Sequence, residues 1–267
     1  MQDGGEYMKT VSIINQKGGV SKTTIAVNLA GGINKLYPKL RLLFIDTDPQ
    51  GNSTDVLFGD MEEDLPTIER LFSTSFYKGI DIIHKTRFEK LDIIPSNIAL
   101  SAKEFHASTI LKGHERISIY LQLIRESYDL CIIDCPPSLG LFSLNALMAS
   151  DYFLVPVVPE KFAIKGIKDL LQTCEVVREV NANLKPLGIL PAIVDRRYSL
   201  HKDLMEELKE MFDSLALNDL SIKTNAPLKE AANLGKTIFE HDNKAATYKQ
   251  FLTLSKWLVE RIGQDER

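Results

Sequence analysis

The chain is expected to fold as an α/β protein with a doubly wound, mostly parallel β-sheet flanked by helices. Two observations carry that expectation. Short, continuously apolar runs recur along the sequence and read as strands buried on both faces. Between them lie longer stretches whose apolar residues fall at three- and four-residue steps, the period of an amphipathic helix. Strand, helix and strand in repeated succession call for parallel pairing, because parallel neighbours need a crossover connection.

The first strand is read at Thr10–Ile14 and the helix after it at Ile25–Leu36. Further strands are read at Arg41–Ile45, Leu91–Ile94, Asp129–Ile133, Tyr152–Val158 and Leu187–Val194. Helical spacing links Ile164, Ile167, Leu170, Leu171, Cys174, Val177 and Val180, and again Leu204, Leu208, Met211 and Phe212. A last helix, Ala245 to Ile262, carries Phe251, Leu254, Leu258 and Ile262 on one side, suited to packing on the sheet. From Asp60 to Ser96 the pattern is weakest, with a short helix around Leu65–Phe72 and a strand at Ile80–Ile83 as its best readings. No repeat or long linker divides the chain. Residues 8–263 therefore read as one domain, between a loose polar tail at 1–7 and a charged tail at 264–267.

With 267 residues and 44% hydrophobic composition, the chain can bury a sizeable core. A net charge of −4 argues against a wholly basic nucleic-acid binder but leaves room for a local basic face. Cys131, Cys135 and Cys174 are odd in number and lack C-x-x-C spacing, which fits a reducing cytosol rather than a disulfide framework or zinc site. No apolar run approaches a membrane span. The five histidines lie scattered without paired spacing, so no metal other than Mg²⁺ is expected.

Directly after the first strand comes Lys17-Gly18-Gly19-Val20-Ser21-Lys22-Thr23-Thr24, opening into a helix. A phosphate needs inward-pointing backbone N–H groups, a helix N-terminus and a cation. Gly18 and Gly19 permit such a loop, Lys22 supplies the charge, and the Thr23 hydroxyl suits Mg²⁺. The pattern is K-G-G-x-x-K-[ST] rather than the ordinary G-x-x-x-x-G-K. Its extra Lys17 would add charge near a transferring phosphoryl group, across a dimer. Two further strands end in carboxylates: Asp46 and Asp48 after the second, and Asp134 in Cys131-Ile132-Ile133-Asp134-Cys135-Pro136-Pro137-Ser138. Ligands of open α/β sheets bind beyond the strands' carboxyl ends, where these segments converge. Thr23, Asp46 and Asp134 are the expected Mg²⁺ group, which leaves Asp48 to orient an attacking water.

At these residues the chain resembles the deviant-Walker P-loop ATPases. Lys17 matches their signature lysine, Asp46 and Asp48 their second acidic motif, and Asp134 their Walker B residue. Within them it is similar to the ParA/Soj family, through NQKGG, DTDPQGNST, DCPPSLGLFSLNAL and EAANLGKTIFEHD. The resemblance spans nearly the whole chain. It implies a single domain that binds ATP and Mg²⁺, dimerises with nucleotide between subunits, and then holds double-stranded DNA without sequence preference. It also implies slow hydrolysis stimulated by a ParB-like or cargo-adaptor protein, a cytoplasmic and nucleoid-associated location, and a role in segregating DNA or other large cargo. The nucleotide contacts it implies are Lys17 through Thr24, with Lys223 and Asn225 beside the base.

Two departures stand out. Ser21 occupies a position usually held by glycine, and Lys223-Thr224-Asn225-Ala226-Pro227 replaces a commoner P-R-N-V-R, removing two arginines. Basic residues remain at Arg196, Arg197, Lys202, Lys223, Lys229 and Lys236, which in a family fold would form a DNA-binding face. A membrane-positioning ATPase of the MinD kind would need a terminal amphipathic helix with a basic polar face, whereas residues 261–267 are short and mixed in charge. No membrane is therefore expected as a partner. A non-hydrolysing ATP-dependent regulator is the other alternative, favoured by Ser21 alone.

Overall fold

The protein is described by a computed structural model covering residues 7–59, 65–73, 81–110, 112–195, 197–223 and 226–264. Arg196, Asn225, Ile80 and most of both expected tails lie outside the described residues. The strands are β1 Lys9–Ile13, β2 Leu42–Asp46, β3 His84–Lys85, β4 Leu91–Ile94, β5 Leu130–Asp134, β6 Tyr152–Val157 and β7 Lys185–Pro191. The helices are α1 Lys22–Leu36, α2 Asn52–Leu57, α3 Glu104–Thr109, α4 Arg116–Ile124, α5 Leu141–Met148, α6 Ala163–Arg178, α7 Ser199–Phe212, α8 Ala226–Asn233, α9 Ile238–His241 and α10 Ala246–Gln264.

The seven strands form one sheet in the order β3-β4-β2-β5-β1-β6-β7, parallel except for β3 at its edge. The apolar runs behave as doubly buried strands should, sending successive side chains to opposite faces. Leu43, Ile45, Cys131, Ile133, Phe153 and Val155 join one core cluster, covered by α3 to α7. Val11, Ile13, Leu42, Phe44, Ile132 and Leu154 join the other, covered by α1, α2, α9 and α10.

Each strand read from the apolar runs is present, with ends shifted by up to three residues. The weak region differs more. The strand expected at Ile80–Ile83 begins instead at His84, where ladder pairing with Ile93 starts; Ile82 is buried in the core without joining a strand. The helix expected around Leu65–Phe72 is a 3₁₀ turn at Ile68–Phe72. Pro66 restricts Leu65 before it, and Thr67 is extended at φ −120°.

The C-terminal helix α10 buries Phe251, Leu254, Leu258 and Ile262 as expected. It packs mainly along α1, however, rather than on the strands. Two glycines permit this arrangement: a Cβ on Gly32 would run into Ser255 Oγ and the Phe239 ring, and one on Gly31 would crowd Phe239 and Thr237. Trp257 is half-buried against the same cluster, so the apolar side of α10 is spent inside the fold. Among the described residues no helix is long and apolar enough to cross a membrane.

Candidate nucleotide and metal site

Parallel register brings the acidic residues together. Asp46 and Asp134 are direct neighbours at the carboxyl ends of β2 and β5, with β1 and its loop on the other side of β5. Both carboxyls are fully buried. Burial pushes both of their pKa values well up, and the Asp134 charge pushes Asp46 further.

The two carboxylates are held differently. Asp46 is saturated by the protein: Oδ2 accepts from Thr54 N at 2.9 Å and Thr54 Oγ1 at 2.8 Å, and Oδ1 accepts from Asp48 N at 3.0 Å. Asp46 thereby fixes the loop that carries Asp48 and the start of α2. Asp134 accepts from Ser53 Oγ through Oδ2, while its buried Oδ1 has no hydrogen-bond partner. The Thr23 hydroxyl faces Asp134 closely enough to lower its pKa, as does the Lys22 charge. A buried carboxylate oxygen without a donor is costly, and a hard cation takes oxygen ligands of this kind. The Thr23 hydroxyl and Asp134 thus fit Mg²⁺, while Asp46 is engaged by Thr54 and the Asp48 N–H and holds the loop that carries Asp48. Among the described residues no cluster of three or more His, Cys, Asp or Glu side chains forms a metal cage; such a sparse set suits an ion that keeps waters and shares phosphate oxygens.

The glycine-rich loop is anchored at its start. Asn15 donates to Pro156 O at 2.7 Å and accepts from Lys17 N at 2.9 Å. Gly19 sits at φ +75°, a conformation glycine takes freely. Ser21 also sits in the left-handed region, at φ 66° and ψ 26°, where a residue with a Cβ loses about 1–2 kcal/mol. Lys22 is buried at the first position of α1 and donates to Lys17 O at 3.1 Å. Burial lowers its pKa, and the nearby Asp134, Cys135 and Asp48 oppose that shift.

Lys17 and Asp48 stand differently toward solvent. Lys17 is half-exposed and its ammonium is paired with Glu160, in the loop after β6. Asp48 is nearly buried and accepts from Gln50 N at 3.0 Å. Gly18, Gly19 and Val20 complete the loop, with Val20 buried and both glycines exposed.

Beside the loop are two hollows. One, about 100 Å³, is lined by Ser21, Thr24, Ile193, Leu228, Lys223 and Lys229, among others. The other, about 710 Å³, runs past Thr23 and Thr24 to Asn28, Asn52, Arg87 and Lys236. Lys223 and Lys229 therefore border the nucleotide side of the molecule. Lys202 is exposed on α7. Arg197 is exposed too, but its guanidinium is clamped by Asp195 at 2.6–3.1 Å. That clamp holds the Asp195 carboxyl at about 2.

Sequence reasoning missed Asn15, Ser53 and Thr54, which position Lys17, Asp134 and Asp46 in turn. The signal was present in the stretches NQKGG and DTDPQGNST, whose polar residues beyond the acids and lysine went unassigned.

A family model described as an AAA domain matches residues 8–186. The sporulation initiation inhibitor protein Soj of Bacillus subtilis (strain 168) is 37% identical over 249 residues, 93% of this chain and 97% of that protein. The chromosome partitioning protein ParA of Myxococcus xanthus (strain DK1622) is 33% identical over 255 residues, 95% of this chain and 88% of that protein. A solved structure of cobyrinic acid a,c-diamide synthase from Mycobacterium smegmatis, with bound ATP analogue and magnesium, is 30% identical at a TM-score of 0.69, covering 77% of this chain and 83% of that one. With a family model over residues 8–186 and relatives of this identity covering nearly the whole chain, the chain belongs to the ParA/Soj family of deviant-Walker P-loop ATPases.

Proposed function

We propose that the protein is a ParA-like ATPase that binds ATP and Mg²⁺, dimerises around the nucleotide, and then holds non-specific double-stranded DNA to segregate or position cargo. The carrying observation is the buried Asp134 carboxylate, with Oδ1 orphaned and the Thr23 hydroxyl beside the group, one residue from the buried Lys22 at the start of α1. When bound, Mg²⁺ would neutralise charge on the phosphate oxygens. The amides of the loop and of the first turn of α1 receive the phosphates, and Lys22 reaches the outer ones. Asp48, held through Gln50 N and through its own N–H to Asp46, orients the attacking water. Lys17 leaves Glu160 to reach the partner subunit's nucleotide. The exposed pair it abandons is worth only about 0–1 kcal/mol, so release costs little.

The base and sugar are received toward Lys223 and the hollow beside Ser21, and Asn225 is the further nucleotide contact proposed from the family resemblance. Lys202, Lys223, Lys229 and Lys236, with Arg196 and Arg197, are the proposed DNA contacts, and a ParB-like or cargo-adaptor partner stimulates turnover on the nucleoid.

The test measures ATP turnover and ATP-dependent dimerisation of the wild type and Asp48→Ala. Slow turnover lost in Asp48→Ala, with dimerisation retained, is the expected outcome. Dimerisation with ATP but no turnover in the wild type would instead favour a regulator that only senses ATP.

A further inference from the structure

We propose that Ser21 is a nucleotide-binding residue whose hydroxyl hydrogen-bonds the sugar of the bound nucleotide. The inference rests on the ATP-binding reading above and adds a contact that a glycine at this position cannot make.

Ser21 is the residue preceding α1, where serine is common for one reason. In extended conformation its oxygen accepts an N–H from the first turn and caps the helix. Here the backbone is left-handed and the side chain makes no capping bond. The consequence is twofold. The first-turn amides stay open for phosphate oxygens, which a capping serine would compete with. Ser21 lines the hollow that it shares with Thr24, Lys223 and Lys229, so its uncapped hydroxyl is available there.

The shape of that hollow says which part of a nucleotide meets it. Its volume is about 100 Å³ and its walls include Ile193, Ile222 and Leu228, an apolar lining suited to the faces of a base. The phosphates belong on the other side of Ser21, over the loop and the first turn of α1. The sugar joins base to phosphates, so it crosses the rim where Ser21 and Thr24 stand. A hydroxyl at that rim meets a ribose oxygen, while the lysines are set for charge. A side chain kept in a conformation that favours glycine is the kind of local strain found at binding sites.

The test compares Ser21→Gly and Ser21→Ala with the wild type, using calorimetric titration with ATP–Mg²⁺ and with inorganic tripolyphosphate–Mg²⁺, which lacks sugar and base. Thermal unfolding without ligand is measured alongside. Ser21→Gly adopts the turn without strain, so it should melt higher than the wild type. Both variants should bind ATP about 3–10-fold more weakly, one hydrogen bond's worth, with tripolyphosphate affinity unchanged. Ser21→Ala keeps the backbone strain and loses only the hydroxyl; if it binds ATP as tightly as the wild type, the proposal fails. A parallel loss of ATP and tripolyphosphate would also overturn it, since the hydroxyl would then serve the phosphate cradle. A wild type that binds neither ligand would refute the ATP site itself, an outcome distinct from failure of the Ser21 contact.

Discussion

At the scale of single residues, the site is assembled at the expense of stability. Asp46 and Asp134 are buried side by side, and their raised pKa values mean that the fold prefers them protonated. Groups with raised pKa contribute stability that is complete below the unfolded carboxyl value, near 4, and is lost as pH rises through the folded values. The nucleotide-free protein should therefore weaken between about pH 4 and about pH 8 from this pair. Asp134→Asn removes one charge, keeps an oxygen for Ser53, and can turn its amide toward the Thr23 hydroxyl. We expect it to stabilise the nucleotide-free protein at pH 7 by on the order of 1–3 kcal/mol, flatten the pH dependence, and abolish Mg²⁺-dependent nucleotide binding. Urea unfolding at several pH values checks the first two, and a variant less stable than the wild type at pH 7 would contradict the argument. The aspartates themselves were legible because each ends an apolar run. Their supporting hydroxyls were not, because a contact such as Ser53 to Asp134 spans 81 residues and no local spacing encodes it.

At the scale of elements, legibility followed burial. Strands β1, β2, β4, β5 and β6 are buried along nearly their whole length, so their apolar runs were unambiguous. The two-residue β3 has no apolar run, and only its pairing with β4 defines it. Helical periodicity ran past the packed face: Val180 lies beyond the end of α6 and is 70% exposed, and Met211, although inside α7, is 47% exposed. The docking of α10 on α1 was hidden as well, because its signal is the absence of side chains at Gly31 and Gly32. That docking is testable. Gly32→Val would place branched carbons against Ser255 and Phe239, and overpacking of a tight contact costs about 1–3 kcal/mol. Denaturant titration should show that loss. Unchanged stability would mean that α10 can shift away from α1 without cost.

At the scale of the whole molecule, the proposed function depends on a dimer surface and a DNA surface, each of which is testable. The Lys17–Glu160 pair holds the signature lysine on its own subunit, so Glu160→Gln should favour the ATP-dependent dimer. Since each exposed pair is worth at most about 1 kcal/mol and a symmetric dimer releases two of them, the gain should not exceed about thirtyfold in dimerisation constant, read by sedimentation velocity. Dimerisation weakened in this variant would mean that Glu160 itself contributes to the interface. The proposed DNA face is less basic than a count of its lysines and arginines suggests, because Arg197 is already paired with Asp195. Each phosphate contact released contributes about 0.9 to the log–log slope of affinity against salt. Lys202→Ala should therefore reduce the slope of the ATP-bound protein by roughly that amount, while Arg197→Ala should change it by much less. Asp195→Ala should steepen it, since the guanidinium would then be free for phosphate. Equal effects of Lys202→Ala and Arg197→Ala would show that the Asp195 clamp opens on DNA, and a flat salt response in every variant would remove DNA from the mechanism.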